Sequence, residues 1–243
     1  MPRFFIPEAD SFTDTAMIYG KDAEHIKVLR LRPGEELTIC DGKGTDYVCR
    51  LISSSKDEAT AEIIRIEPSC GEPSVAVSVY CGLPKGDKAE LIVQKCVETG
   101  AKEIVFFDSE RVVQRSDGVS KRLERLNRIS EEAAKQCGRG LIPAVRWIGG
   151  YSEMINEAGS CDGVFFMYET GEREGFSEAL VGAKMLTTAA VITGPEGGFE
   201  ESEAALARER GFHICSMGRR ILRCETAPVA ALTALMFASG NLD

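Results

Sequence analysis

The stretch Val191-Ile192-Thr193-Gly194-Pro195-Glu196-Gly197-Gly198-Phe199 runs from an apolar segment straight into a loop with three glycines. Glu200-Glu201-Ser202-Glu203 then opens a helical pattern. Glycines let a ligand approach the backbone closely, and a helix N-terminus offers N–H groups with no partner inside the helix. The plainer reading is a glycine-rich turn whose acidic residues cap the next helix. No Lys-Ser/Thr pair follows, and the glycine spacing is not G-x-G-x-x-G, so the usual phosphate-loop motifs do not apply. A second loop has the same placement. After the segment His213–Met217 come Gly218-Arg219-Arg220-Ile221-Leu222-Arg223-Cys224-Glu225-Thr226-Ala227-Pro228, and then an apolar helix. Guanidinium groups match the geometry of phosphate and carboxylate. Ile221 and Leu222 between them suit the wall of a flat ligand such as adenine. Surface arginines lying over a sheet edge are the alternative.

The cysteines and histidines offer less. Nine cysteines are scattered with no C-x-x-C pair, and His25 and His213 are the only imidazoles. Structural zinc needs closely paired thiolate and imidazole ligands. We therefore expect no metal, and cysteines that pack as small reduced hydrophobes.

The elements that must position these loops follow from periodicity. Over roughly 1–70 the pattern is β-rich: Leu37 and Ile39 alternate with polar residues, as do Tyr47, Cys49 and Leu51, and Thr60–Ile66 forms another strand. Gly and Asp turns between short strands suggest a small barrel or sandwich, with a short helix over Lys21–Val28. Pro68–Ser74 reads as a linker. From there strands and helices alternate. Strands are predicted around Val75–Val79, Ile104–Phe107, Ala144–Ile148, Gly163–Tyr168, Ala189–Thr193 and His213–Met217. Helices are predicted after Asp87, over Ser120–Cys137, over Glu200–Arg210 and over Ala227–Ala238. Asp87 with Glu90 has the spacing of a capping box. This alternation predicts an α/β domain with a parallel sheet over 73–243, preceded by a β-barrel domain over 1–72. In such sheets ligands bind beyond the carboxyl ends of the strands, where both loops would lie.

Length and charge bound the class. With 243 residues, 44% of them hydrophobic, the chain can bury a core, which excludes disorder. The apolar runs Val164–Tyr168 and Ala227–Ala238 fall short of the roughly 20 residues that span a bilayer. The apolar stretch near Phe4-Phe5-Ile6 is too short for a signal peptide, so a cytoplasmic protein away from membranes is expected.

The two loops together closely resemble the signature of the RsmE family, SPOUT-class methyltransferases of bacterial small-subunit ribosomal RNA that modify uridine N3. The resemblance extends to His25-Ile26-Lys27-Val28-Leu29-Arg30, Lys85-Gly86-Asp87-Lys88, Ser109-Glu110-Arg111 and Glu132-Ala133-Ala134-Lys135-Gln136-Cys137-Gly138-Arg139. Cys137, Thr99 and Met217 depart from residues common in the family. The resemblance implies a PUA-like RNA-binding barrel followed by a trefoil-knotted SPOUT domain that dimerises through the knot and binds S-adenosylmethionine. The implied cofactor contacts are Thr193, Gly194, Glu196, Gly197 and Gly198 from one loop and Met217, Gly218, Arg220, Ile221 and Leu222 from the other. Met167 and Tyr168 join them from an earlier strand end. The implied partner is 16S ribosomal RNA, in the small subunit.

Methylating uracil N3 means removing its proton and stabilising charge on O2 and O4. Arg223 is the candidate cation, with a phosphate clamp or a dimer ion pair as its other reading. Glu196, Glu225 and water are open as the proton acceptor, Glu196 equally suiting the positive end of the cofactor. The formal charge of −9 sits oddly with RNA, whose phosphates need Lys and Arg. Locally the balance reverses. Arg111–Arg139 holds eight basic residues (Arg111, Arg115, Lys121, Arg122, Arg125, Arg128, Lys135, Arg139) against Asp117, Glu124, Glu131 and Glu132. Arg3, Lys27, Arg30 and Arg32 add a basic edge to the first domain. Arg3, Lys27, Arg30, Arg111 and Arg139 are thus the expected RNA contacts. The competing readings are a SPOUT enzyme acting on tRNA, a noncatalytic ribosome-assembly factor, and an enzyme using Gly194–Gly198 as an anion loop.

Overall fold

The computed structural model describes residues 1–111 and 119–242, so Arg115 and Asp117 of the basic stretch lie outside the described residues. The chain groups into two compact units, Met1–Glu72 with Ala134–Ile142, and Pro73–Ala133 with Pro143–Asp243.

The first unit contains β1 (Arg3–Phe5), β2 (Thr15–Tyr19), α1 (Gly20–Val28), β3 (Glu36–Cys40), β4 (Thr45–Ser54) and β5 (Glu58–Pro68). They form one sheet in the order β1-β3-β4-β5-β2, antiparallel except for β1 beside β3. Alternation sends Leu37 and Ile39, Cys49 and Leu51, and Ala59 and Ala61 into a core with Phe4, Ile18 and Ile26. The β4–β5 register slips between Val48 and Cys49 and again between Leu51 and Ser53. Such bulges strengthen the twist and curl the sheet. The result is a half-barrel, with β1 and β2 as its two edges rather than a closed seam.

The second unit contains β6 (Ala76–Gly82), α2 (Lys88–Glu98), β7 (Glu103–Asp108), α3 (Val119–Cys137, its end grouping with the first unit), β8 (Ala144–Gly150) and α4 (Tyr151–Ala158). It continues through β9 (Gly163–Met167), β10 (Glu174–Gly175), α5 (Phe176–Ala179), β11 (Thr188–Thr193), α6 (Glu201–Glu209), β12 (His213–Ser216) and α7 (Ala227–Ala238). The seven strands pair in parallel throughout, in the order β10-β12-β9-β11-β6-β7-β8. Strands covered on both faces need apolar side chains on both, so β9 is buried at every residue and β11 from Ala189 onward.

One local expectation fails. Asp87 does stand at the start of α2, but its side chain caps nothing, and Glu90 pairs with Arg125 at 2.8 Å instead. The cause is backbone: Asp87 sits at φ −86°, ψ 1°, not in the extended geometry that aims an N-cap side chain at the first free N–H groups. The reciprocal cap forms at α6, where the Glu203 carboxylate accepts the Glu200 N–H at 2.8 Å. Among the described residues no helix is long and apolar enough to cross a membrane.

Candidate active site

Strands β12, β9 and β11 lie side by side, so their carboxyl ends deliver three chain segments to one place. There the second unit opens a cavity of about 440 Å³. Every expected cofactor contact lines it except Gly197. Met167 and Tyr168 come from the end of β9, Thr193 from the end of β11, Gly194, Pro195, Glu196 and Gly198 from the loop after it, and Met217 through Leu222 from the loop after β12. That volume lies within the range of small-molecule sites.

The first loop is shaped mainly by its own packing. Its chain turns back on itself, with the Gly198 N–H donating to the Pro195 carbonyl at 3.0 Å. A Cβ at Gly194 would stand 3.2 Å from the Gly198 backbone. Gly198 has φ +67°, and a Cβ there would meet the Glu169 carboxylate at 2.2 Å. Gly198 therefore needs glycine for its left-handed backbone, and Gly194 sits in tight packing against it. Phe199 then leaves the loop and anchors it, its ring 4.3 Å from Phe166 and 6.3 Å from Phe107 between centroids. Gly197 faces away from the cavity; its carbonyl accepts from Arg111 at 3.0 Å, and Arg111 also grips Glu200 through Nε and Nη2.

The second loop folds over Cys224, which is buried, and enters α7 through hydrogen bonds from the Thr226 and Ala227 N–H groups to the Arg223 carbonyl at 2.8 and 2.9 Å. Ile221 is 83% exposed and reaches over the cavity as an uncovered apolar wall. Arg219, Arg220 and Arg223 are exposed at the rim. The Arg223 side chain is 86% exposed, and its nearest carboxylate contact is Glu225 at 4.0 Å.

Lys88, the first residue of α2, adds a further wall, and the sequence had named it only within the matching segment Lys85-Gly86-Asp87-Lys88, with no role attached. Lys88 Nζ stands 2.8 Å from Glu196 Oε1 and 3.9 Å from Glu225 Oε2. The Lys85 N–H donates to the same Glu196 oxygen at 3.1 Å. Burial opposes ionisation of Glu196, but these donors outweigh it and hold the carboxyl below its usual range. Glu225 is held low first by its own backbone N–H, then by the Cys224 thiol and Lys88. Burial pushes the Cys224 thiol up to about 12, so it remains a donor to Glu225. Both carboxylates are charged at neutral pH and are weak proton acceptors. They suit a cationic ligand better than general base catalysis. Glu169 and Arg173 also line the cavity without having been singled out by the sequence, their separate positions along the chain giving no motif.

The expected RNA contacts divide. Lys27 and Arg30 are exposed in and just after α1, and Arg111 is exposed beside the glycine loop. Arg3 and Arg139 are instead buried in pairs with carboxylates. Arg3 donates to both oxygens of Asp46, at 2.7 and 2.5 Å, with its side chain 11% exposed. Arg139 is 4% exposed and pairs with Glu72 at 2.6 Å. Inside a protein a guanidinium must be paired, and these two have found carboxylates of their own unit. The histidines lie off the cavity: His213 bonds Glu174 at 2.7 Å at the start of β12, and His25 packs edge-on against Phe4.

Comparison with known proteins agrees with this geometry. The sequence profile described as an RNA methyltransferase domain matches residues 71–236, and that of an RNA methyltransferase PUA domain matches 18–64. The chain is 32% identical to the ribosomal RNA small subunit methyltransferase E of Bacillus subtilis, over 98% of this chain and 96% of that one. It is 31% identical to the Mesomycoplasma hyopneumoniae protein of the same name, over 96% and 98%. Among solved structures it is similar to the ribosomal RNA small subunit methyltransferase E of Neisseria gonorrhoeae bound to S-adenosyl methionine. That likeness has a TM-score of 0.84 and 34% identity, and covers 98% of this chain and 97% of the other.

Proposed function

The chain belongs to the ribosomal RNA small subunit methyltransferase E family, and we propose that it transfers a methyl group from S-adenosylmethionine to N3 of a uridine in 16S ribosomal RNA, within the small subunit. The observation that carries this reading is the cavity at the ends of β9, β11 and β12, whose walls suit each part of that cofactor. The ionised carboxylates of Glu196 and Glu225 answer positive charge, and Met167, Tyr168, Ile221 and Leu222 offer apolar surface to an adenine ring. Bound there, the cofactor supplies an electrophilic methyl group.

The protein's own contribution is position and charge. Strand ends and self-packed loops hold the site in place, so the uridine nitrogen meets a fixed geometry. Arg223 is the catalytic cation: its guanidinium is exposed at the rim, and it stabilises the charge that spreads to uracil O2 and O4 once N3 loses its proton. Glu196, being a weak base in this setting, serves the cofactor's positive charge. Lys27, Arg30 and Arg111 contact RNA phosphates. The enzyme acts in the cytoplasm as a homodimer without a metal. Exposed Val181, Met185 and Phe237, at 83, 86 and 66%, support a second copy packing on the larger unit.

The test is transfer from labelled S-adenosylmethionine to small subunits lacking the modification, beside naked rRNA and tRNA, with products mapped by mass spectrometry. N3-methyluridine at one site of the subunit is expected. Arg223→Ala should lower transfer on the order of a hundredfold while cofactor binding persists. Transfer to tRNA alone would overturn the substrate, and unchanged transfer by Arg223→Ala would remove that residue's role.

A further inference from the structure

Three segments far apart in sequence meet at one ammonium group. Lys88 Nζ, in the first turn of α2, lies 2.8 Å from Glu196 in the loop after β11, 3.9 Å from Glu225 in the loop after β12 and 3.8 Å from the Cys224 sulfur. The turn that carries it is itself held. Arg122 of α3 donates to the carbonyls of Pro84 and Gly86, both at 2.9 Å. Lys85 adds its N–H to Glu196 at 3.1 Å. Two like charges sharing one end of a cavity repel and would push their loops apart. An ammonium between them reverses that. Arg223 reaches Glu225 only at 4.0 Å and is 86% exposed, so it cannot replace Lys88 in this.

We propose that Lys88 is a positioning residue for methyl transfer: it holds the carboxylates of Glu196 and Glu225 together and keeps both loops in the shape that receives S-adenosylmethionine. The inference rests on the functional reading above and adds a residue to it that neither loop contains. It also carries a pH signature. Burial alone would raise the pKa of Glu196, and the Lys88 hydrogen bond is the largest influence against that, ahead of the backbone donors. Around Glu225 the facing groups are its own N–H, the Cys224 thiol, Lys88 and Arg223. With Lys88 in place both carboxylates keep their charge as the pH falls, until their lowered pKa values are reached. Without it, protonation begins at higher pH, and affinity for a cationic ligand starts to fail there.

The experiment is calorimetric titration of S-adenosylmethionine into the full-length wild type, Lys88→Met and Lys88→Arg at a series of pH values from about 3.5 to about 8, spanning the ordinary carboxylate range on both sides. Lys88→Met should bind about tenfold more weakly at neutral pH, about 1.4 kcal/mol. Its acid-side loss of affinity should begin at a higher pH than that of the wild type. Lys88→Arg should recover most of the affinity and the wild-type acid limb. Thermal unfolding of Lys88→Met should stay close to wild type, since the side chain is 38% exposed. Equal affinity and an identical pH profile for Lys88→Met would overturn the proposal, as would an Arg variant as weak as the Met one. A wild type that binds no S-adenosylmethionine at all would instead overturn the functional reading, and this inference with it.

Discussion

The ion pairs of the first unit and those around the cavity of the second are made from the same residue types and do different things. In the first unit Arg3 and Asp46 have side chains 11% and 7% exposed, and Arg139 is 4% exposed against Glu72. Their remaining hydrogen-bonding capacity is also used: Ser69 donates to Asp46, and the Gly140 and Leu141 N–H groups donate to Glu72. Around the cavity Lys88 and Glu196 are 38% and 32% exposed, and Arg223 is 86% exposed. These groups still face open space and can exchange water for cofactor or RNA. An arginine in a sequence therefore signals chemistry only once its carboxylate partner and its burial are known.

The sharpest way to break this comparison is to disrupt a sealed pair. Arg139→Ala leaves the Glu72 carboxylate with only its Gly140 and Leu141 donors and should cost about 2–3 kcal/mol of stability in urea unfolding; a loss under ~1 kcal/mol would place the pair with ordinary surface bridges. Arg3→Met should cost on the order of 2 kcal/mol at pH 7. Its pH dependence has a definite sign. Burial opposes ionisation of Asp46, but hydrogen bonds from Arg3 and Ser69 prevail and lower its pKa from the ordinary 3.8. The carboxylate's stabilisation is thus complete above that value and is lost as the pH falls through the lower folded one. The stability gap between wild type and Arg3→Met should close on acidification below 3.8; a gap constant with pH would contradict the pairing.

Substitutions at the cavity should do the reverse, touching binding more than folding. Gly198→Ala forces a side chain into φ +67° against Glu169, and should cost roughly 1–2 kcal/mol of stability together with most of the cofactor affinity. Full affinity in that variant would mean the loop is not part of the site. The smallest effect belongs to Arg111→Ala, which removes a half-exposed pair with Glu200 and should leave unfolding close to wild type while weakening RNA binding and flattening its salt dependence.

Much of this was legible in the sequence because the signals were local. Continuous apolar runs mark β9 and β11, and the residues after β11 and β12 name two of the cavity's walls. What escaped was set by contacts distant in the chain. Lys88 follows Asp87 at the start of a helix, where a lysine reads as solvated, and only folding brings Glu196 and Glu225 to it. Arg3 and Arg139 read as free cations because Asp46 and Glu72 lie 43 and 67 residues away. Strand β1 is three residues long, too short for periodicity to register, and β2 buries only Ala16 and Ile18 as its alternating residues. The glycine loop shows how two readings of one motif can coexist: Gly194 and Gly198 line the cavity, and the same two residues make the tight turn in which Gly198 is left-handed.

The most direct measurement is a crystal structure of the protein with S-adenosylmethionine bound. The account predicts the cofactor in the cavity at the ends of β9, β11 and β12, its positive charge toward Glu196 and Glu225 and its adenine against Ile221 and Leu222. A cofactor bound elsewhere, or one turning its charge away from both carboxylates, would contradict it.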